Sequence, residues 1–132
     1  GNTMSSSVDP IDIDGQIEES LEEQITMALV DNVCCLMAKE IVAGEMKDKV
    51  YDLLGAIYGI EFGDKEFQRI AIQTLLWENE FNTKAGIGIA DNKLPEFMIK
   101  ESLESNNQFF DIDEDSIMHF WDALATKYHA LG

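Results

Sequence analysis

Apolar residues recur three or four positions apart along most of this chain, a period typical of helices that bury one face. The first such stripe comprises Ile17, Leu21, Ile25, Ala28 and Leu29. Glutamates occupy its other faces near the N-terminal end, where the helix dipole favours negative charge, and Asp14 stands where an N-cap is expected. The pattern therefore predicts a helix from Gln16 onward.

The helical period is interrupted after this first stripe. Asp31 and Asn32 break the apolar face, and Val33 to Val42 is again apolar, with Lys39 and Glu40 late in the run. The run is compatible with a second helix or with a continuation of the first. We favour a break at Asp31 and Asn32, because short polar side chains compete with the helix for backbone hydrogen bonds.

Two further stripes predict the central helices. One, with apolar positions Val50, Leu53, Leu54, Ile57 and Tyr58, predicts a helix over about Lys47 to Tyr58 that ends at Gly59. The next is the longest, with Asp64 as its expected N-cap and Gly86 and Gly88 at its end. Its predicted buried positions are Phe67, Ile70, Ala71, Leu75 and Phe81.

The rest of the chain predicts one irregular segment and one final helix. Gly86 to Phe110 has no sustained period and leaves room for one short helix. Asp113 is the expected N-cap of the last helix, whose stripe is Ile117, Phe120, Trp121, Leu124 and Tyr128. Because no strand pattern occurs, we predict an all-α, single helical domain of about five helices over residues 15–132, preceded by a lead-in at 1–14.

Composition narrows the function classes. With 132 residues, 45% of them hydrophobic, the chain suits one domain with one core. Its formal net charge of −17 and its single arginine, Arg69, predict that nucleic acid and anionic lipid surfaces repel it. The longest apolar stretch, Ile25 to Ala43, contains Asp31 and Lys39, which are costly at bilayer depth, so no membrane association is expected.

The cysteines and the first residues indicate the cellular compartment and the origin of the chain. Cys34 and Cys35 are sequence neighbours, so no disulfide framework is expected, and a reducing cytoplasm fits best. Gly1 precedes the first methionine and is interpreted as a residue left after tag removal, which suggests a piece excised from a longer protein.

Few residues have the spacing that chemistry requires. His119 and His129 are ten positions apart, unlike a helical metal pair, and are more simply packed or solvated. The sequence from Asp111 to Asp115 imitates a calcium loop but has Ser116 where glycine is needed, which favours acidic residues at a helix start. No nucleophile elbow or phosphate loop occurs. We therefore predict that the chain alone is not a complete enzyme.

Cys34 and Cys35 remain as candidates. They follow Asp31 at a possible helix N-terminus, where backbone donors favour thiolate. The ordinary interpretation is that both are inert core cysteines.

Several segments, taken in order, carry a resemblance to a known family. They are Val8-Asp9-Pro10, Gly15-Gln16, Ala28 to Asp31, Gly55 and Gly59, Glu66 to Arg69, Leu76 to Gly86, Asp91 to Pro95, Glu101 to Leu103, and Tyr128 to Gly132. This series resembles the C-terminal domain of the tungsten-containing aldehyde ferredoxin oxidoreductases across nearly the whole chain. Asn79 stands where that family usually has arginine.

The resemblance implies a role for one stretch. The family places an Asp-x-x-Gly-Leu-Cys loop where this chain has Asp31-Asn32-Val33-Cys34-Cys35-Leu36. By that likeness Asp31 would accept hydrogen bonds from a pterin, and Leu36 occupies the position of the fourth cysteine ligand of a 4Fe-4S cluster. Either Cys35 serves after a one-residue adjustment, with Cys34 beside it, or the ligand has been lost, since leucine cannot bind iron.

In the family, the complete protein oxidises an aldehyde to a carboxylate at a tungstopterin or molybdopterin and passes electrons through the cluster to ferredoxin. The resemblance thus implies a domain that closes the cofactor and substrate site, with the remaining domains of the same protein as partners and no cofactor bound by the isolated domain. Two alternatives stand beside it. One is a non-catalytic binding or assembly module of the same ancestry. The other is an unrelated helical bundle with similar helix punctuation.

Overall fold

The computed structural model describes residues 15–42, 44–88, 91, 95–102 and 114–132, and every regular element in these ranges is helical. The elements are α1 (Gln16–Val33), a 3-10 turn (Leu36–Ala38), α2 (Lys39–Val42), α3 (Lys47–Tyr58), α4 (Asp64–Lys84), α5 (Glu96–Lys100) and α6 (Glu114–Ala130). The predicted all-α class is confirmed. None of these helices is long and apolar enough to cross a membrane.

The core lies among three long helices. α4 packs against both α1 and α6, which also contact each other, while α2 connects α1 to α3. The largest fully buried side chains are Val30, Val42, Phe67, Ile72 and Leu124. Each such side chain contributes about 1.5–3 kcal/mol relative to exposure. No polar or charged residue in the described ranges is buried, so the core is held by apolar packing.

The N-terminal ends of α3 and α4 are joined by an aromatic contact and a small polar network. The rings of Tyr51 and Phe67 lie 4.3 Å apart. Asp64 Oδ1 accepts hydrogen bonds from Lys47 Nζ at 2.7 Å and from the Tyr51 hydroxyl at 2.6 Å. These donors, Lys47 first, hold the pKa of Asp64 below its ordinary value. Burial and the hydrogen bond to Asp64 raise the pKa of Tyr51.

The predicted bounds of α3 are confirmed, and a glycine shapes its last turn. The helix runs from Lys47 to Tyr58 and ends at Gly59, whose φ of 70° is left-handed. The chain then turns back over the helix. The carbonyl oxygen of Ile60 comes so close that a Cβ at Gly55 would lie only 2.9 Å from it. Gly55 therefore permits a close backbone approach that any side chain would obstruct.

The start of α4 differs in detail from the prediction. Asp64 is its first helical residue, and Gly63 occupies the N-cap position. The Gly63 N–H donates to Glu66 Oε2 at 3.0 Å, so a glutamate in the first turn reaches back to satisfy the cap. Asp64 as N-cap was wrong because its carboxylate is engaged by Lys47 and Tyr51 instead.

The predicted end of α4 at Gly86 is confirmed. Gly86 has φ 87°, and its N–H donates to the carbonyl of Thr83 at 3.0 Å. The Ile87 N–H donates to the carbonyl of Asn82 at 2.9 Å. Together these bonds form a Schellman motif, which satisfies carbonyls left open at the helix end.

Several apolar residues predicted to be buried are exposed. In α4, Ile70 and Phe81 face outward while Phe67, Ala71, Ile72 and Leu75 form the buried face. That face ends at Leu75, because continuing it by three or four residues reaches Glu78 and Asn79. The stripe of α3 was not assigned a buried set, and in the structure its residues Leu53, Ile57 and Tyr58 are exposed while Tyr51 is the buried residue of this helix. The burial predictions for Ile70 and Phe81 were wrong since the partner helices cover one side of α4.

The end of α6 is fastened to α4 and α1. Arg69 on α4 donates to the Gly132 carbonyl, and its guanidinium lies 5.4 Å from the centre of the Tyr128 ring. Lys127 pairs with Glu22 on α1.

The other two predicted N-caps, Asp14 and Asp113, lie outside the described residues. In the structure, α1 begins directly after Gly15, whose φ is 78°. α5 is the one short helix anticipated between Gly86 and Phe110.

Candidate functional site

The break between the first two helical segments lies three residues later than predicted. Asp31 and Asn32 are still in the last turn of α1, which ends at Val33. Cys34 and Cys35 are extended, with φ/ψ of −160°/−173° and −72°/145°, and the 3-10 turn follows. The predicted break at Asp31 and Asn32 was wrong, because Asn32 donates to the Ala28 carbonyl at 2.7 Å from inside the helix.

The two cysteines face different environments. Successive residues of an extended backbone point to opposite sides. Cys34 is partly buried and packs against the core, and its N–H donates to the Val30 carbonyl at 2.8 Å. Cys35 is exposed, and its carbonyl accepts from Ala38 N–H at 2.8 Å. The structure therefore supports the core interpretation for Cys34 and leaves the thiol of Cys35 accessible.

Residues 31–37, here called the α1–α2 connection, run from the last turn of α1 into the 3-10 turn and expose most of their side chains. Asp31 and Leu36 are exposed, and Met37 is 91% exposed. Behind it, Lys39 Nζ pairs with Glu23 Oε2 at 3.0 Å and Val42 is buried, so the chain after the connection is held against α1. The candidate residues Asp31, Cys35 and Leu36 are thus exposed in one segment, and the chain that follows this segment is held against α1.

A side-chain bridge links this connection to α4. Asn32 Nδ2 donates to Thr74 Oγ1 at 2.9 Å, and the Thr74 hydroxyl donates to the Ile70 carbonyl at 3.0 Å. The bridge positions the last turn of α1 beside the middle of α4. Asp31, the preceding residue, is exposed in the same last turn of α1.

That outward face carries an apolar ridge that the sequence analysis missed. Ile70, Trp77 and Phe81, here called the α4 ridge, lie on one helix face with Thr74 between them. Trp77 is 62% exposed and Phe81 71% exposed. They contribute to an open cleft of about 440 Å³ lined by Thr74, Trp77, Glu78, Phe81 and Asn82. The signal was present as a second stripe spaced by four, three and four residues, beside the one that forms the core.

The other residues considered for metal binding or catalysis do not form a site in the part of the chain that the structure describes. His119 and His129 are both exposed on α6. Within the described residues, no three side chains of His, Cys, Asp or Glu are grouped so that they could hold a metal ion. Asp111 and Asp113 lie outside these residues. In α1, Glu22 and Glu23 pair with lysines, which agrees with the interpretation of the glutamates as a solvated face.

Some residues that carry the sequence resemblance serve the fold itself. Glu66 completes the N-terminal cap of α4, Arg69 fastens α6, and Gly55 admits the Ile60 carbonyl. Asp31 has no such structural partner among the described contacts. The resemblance therefore includes both residues that build the domain and a carboxylate on its surface.

The comparisons with known proteins agree with that resemblance. A family model described as aldehyde ferredoxin oxidoreductase, domains 2 and 3, matches residues 2–132, nearly the whole chain. No curated protein and no solved structure gives a significant match. The helical fold, the ordered motifs and the family match lead to one conclusion: this chain belongs to the aldehyde ferredoxin oxidoreductase family.

Proposed function

We propose that this chain is the C-terminal helical domain of an aldehyde ferredoxin oxidoreductase-like protein and closes one side of its cofactor and substrate site. The observation that carries the proposal is that Asp31, Cys35 and Leu36 form one exposed segment that is fixed to the core on both sides. A surface that contacts a cofactor held elsewhere needs such exposure together with such rigidity.

The exposed residues of the α1–α2 connection are suited to contact one side of a cofactor that other domains hold. Asp31 offers an exposed carboxylate, a strong acceptor for the N–H groups of a pterin ring. Cys35 offers one accessible thiol, while Cys34 packs against the core. A 4Fe-4S cluster needs four ligands, so the other three would come from the remaining domains of the protein. This domain would then position and at most supply one ligand.

When bound, the tungstopterin or molybdopterin and the 4Fe-4S cluster would supply the oxidation of an aldehyde to a carboxylate and the transfer of electrons to ferredoxin. The contribution of this chain is to orient the pterin through Asp31 and to limit access of water with the apolar surface of Leu36 and Met37. Because Cys34 and Cys35 form no disulfide, the compartment that we propose is the reducing cytoplasm.

A second candidate function is a non-catalytic binding or assembly module of the same ancestry. It is favoured by Leu36, which stands exposed where the family has a cysteine ligand. In this alternative the connection is an ordinary surface turn. No metal or pterin would depend on Asp31 or Cys35.

The deciding experiment is analysis for tungsten, molybdenum and iron on the longest natural polypeptide that contains these residues, purified without oxygen and with its intact mass recorded. Near-stoichiometric tungsten or molybdenum with about four irons per chain supports the first proposal. A metal-free protein supports the second.

Variants separate the roles within the connection. Asp31→Ala should reduce retained pterin, and unchanged pterin content would count against its proposed contact. Cys35→Ser should lower the iron content, whereas Cys34→Ser is the matched control and should leave iron unchanged. Leu36→Cys should raise iron occupancy where the rest of the cluster site is intact.

A further inference from the structure

The α4 ridge has the composition of a binding surface. Trp77 and Phe81 are large aromatic side chains that are mostly exposed. Ile70 lies on the same face of α4, closer to the start of the helix, and is also exposed. Aromatic residues are enriched at interfaces, where a few of them carry most of the binding free energy. Ile87, which follows the Schellman motif at the end of α4, is also exposed. Exposed apolar side chains therefore occur from the middle of α4 to just past its C-terminal end.

The charge around the ridge is negative. Glu78 lines the cleft beside Trp77 and Phe81. The nearby lysine, Lys84, is already paired with Glu80 at 2.5 Å. Among the described residues Glu78 forms no ion pair. The chain as a whole carries a formal net charge of −17, so its electrostatic field favours a cationic partner over an anionic one.

We propose that the α4 ridge binds a basic amphipathic helix of a protein partner, whose apolar side chains cover Trp77 and Phe81 while a lysine or arginine of that helix meets Glu78. The inference rests on α4 and its rim and does not depend on the proposed cofactor role. A second copy of this chain would oppose like charges across the interface. An anionic lipid surface would be repelled for the same reason.

The form of the partner follows from the geometry. A helix that presents anchors at positions i, i+3 or i+4, and i+7 matches an elongated apolar strip on another helix. The described residues contain no strand, so they offer no sheet edge to which an extended peptide could add. Ridge-to-groove packing between two helices is the remaining regular mode.

The test uses the fluorescence of Trp77 in a Trp121→Phe background, which removes the other tryptophan. The probe is a synthetic peptide of about 18 residues, roughly five helical turns, with leucine at helical spacing and lysine elsewhere. Binding should shift the Trp77 emission to shorter wavelength and weaken as salt is added. A matched peptide with glutamate in place of lysine should not bind.

The decisive variant is Phe81→Asp, with Ile57→Asp on exposed α3 as its control. Both add one negative charge, so general electrostatic attraction predicts slightly tighter binding of the lysine peptide to each. Docking on the ridge predicts instead that only Phe81→Asp raises the Kd, by about tenfold or more. Circular dichroism checks that both variants retain helix content.

Three results would overturn the proposal. The first is equal affinity of the lysine peptide for the Phe81→Asp and Ile57→Asp variants. The second is concentration-dependent dimerisation of the chain that Phe81→Asp abolishes, since this would identify a second copy as the occupant. The third is a Trp77 shift with vesicles of anionic phospholipid and none with the lysine peptide.

Discussion

The side-chain amide of Asn32 donates a 2.9 Å hydrogen bond to the hydroxyl of Thr74, 42 residues further along the chain. The same amide donates to the Ala28 carbonyl, and the Thr74 hydroxyl donates to the Ile70 carbonyl. One relay of side-chain bonds thus connects the backbones of α1 and α4. It joins the α1–α2 connection to the α4 ridge, the two surfaces to which we assign function.

This bridge predicts a measurable coupling between two helices. Asn32→Ala and Thr74→Val should each lower the free energy of unfolding by about 1 kcal/mol, as expected for loss of one hydrogen bond. The double variant should lose less than the sum, because the two changes remove the same bond. Urea denaturation measures all three. Gln24→Ala is the control, since the side-chain bond described for Gln24 stays within α1, to Ser20, and additive losses would contradict the bridge.

Burial predicts a large contrast between two apolar residues. Leu124 is completely buried among α1, α4 and α6, so Leu124→Ala should cost about 2–5 kcal/mol of unfolding free energy. Phe81 is mostly exposed, so Phe81→Ala should change stability by only about 0.5 kcal/mol. Denaturant unfolding of both variants checks this. A comparable loss for the two would mean that the C-terminal half of α4 is covered within this chain.

Gly55 predicts a backbone clash. An alanine there would bring its Cβ to within 2.9 Å of the Ile60 carbonyl oxygen, and the obstructing atom is backbone that cannot rotate away. We expect Gly55→Ala to lower the free energy of unfolding by about 1–3 kcal/mol despite the better helix propensity of alanine. Gly88→Ala is the control, because among the described residues the nearest atom to its Cβ would be Asp91 Oδ2, at 4.0 Å. A neutral or stabilising Gly55→Ala would refute the close approach.

Tyr51 predicts loss of stability in alkali. Its pKa is raised by burial and by Asp64, and the pKa of Lys47 is also raised, mainly by its hydrogen bond to Asp64. A group whose folded pKa lies above its unfolded value stabilises the fold below the unfolded pKa, about 10 for tyrosine, and loses that contribution as pH rises further. The Tm should therefore fall above about pH 10.

Tyr51→Phe should make this alkaline fall shallower, because phenylalanine does not ionise. Thermal melts followed by circular dichroism between neutral pH and about pH 11 measure the difference. Tyr58→Phe is the matched control, since Tyr58 is exposed and its ring contact with Phe62 does not need the hydroxyl. If both variants fall as steeply as the parent chain, Tyr51 is not responsible.

The sequence was most informative where local chemistry marks an element. The bounds of α3 follow from its apolar stripe and from Gly59, and Gly86 likewise marks the end of α4. Both depend on residues within a few positions of each other. The break after α1 was misplaced because Asn32 is held in the helix partly by Thr74, a distant residue that no local pattern reveals.

Burial was harder to predict than helix position. Ile70 and Ala71 are neighbours with similar apolar character, yet only Ala71 is buried, because α1 and α6 cover one side of α4. For the site, the resemblance indicated Asp31, Cys35 and Leu36 as a group. The opposite facing of Cys34 and Cys35 required their backbone angles, and the α4 ridge required knowing which of two stripes becomes core.

Because the backbone at Cys34 and Cys35 is extended, only one of these two thiols, that of Cys35, is accessible for chemical labelling. An accessible thiolate reacts readily with maleimides, whereas a thiol packed against the core is shielded until the chain unfolds. Cys35 should therefore accept a single dye or spin label without mutagenesis, and Cys34 should stay unmodified in the native state. The number of labels incorporated per chain would then report the folded fraction of any preparation.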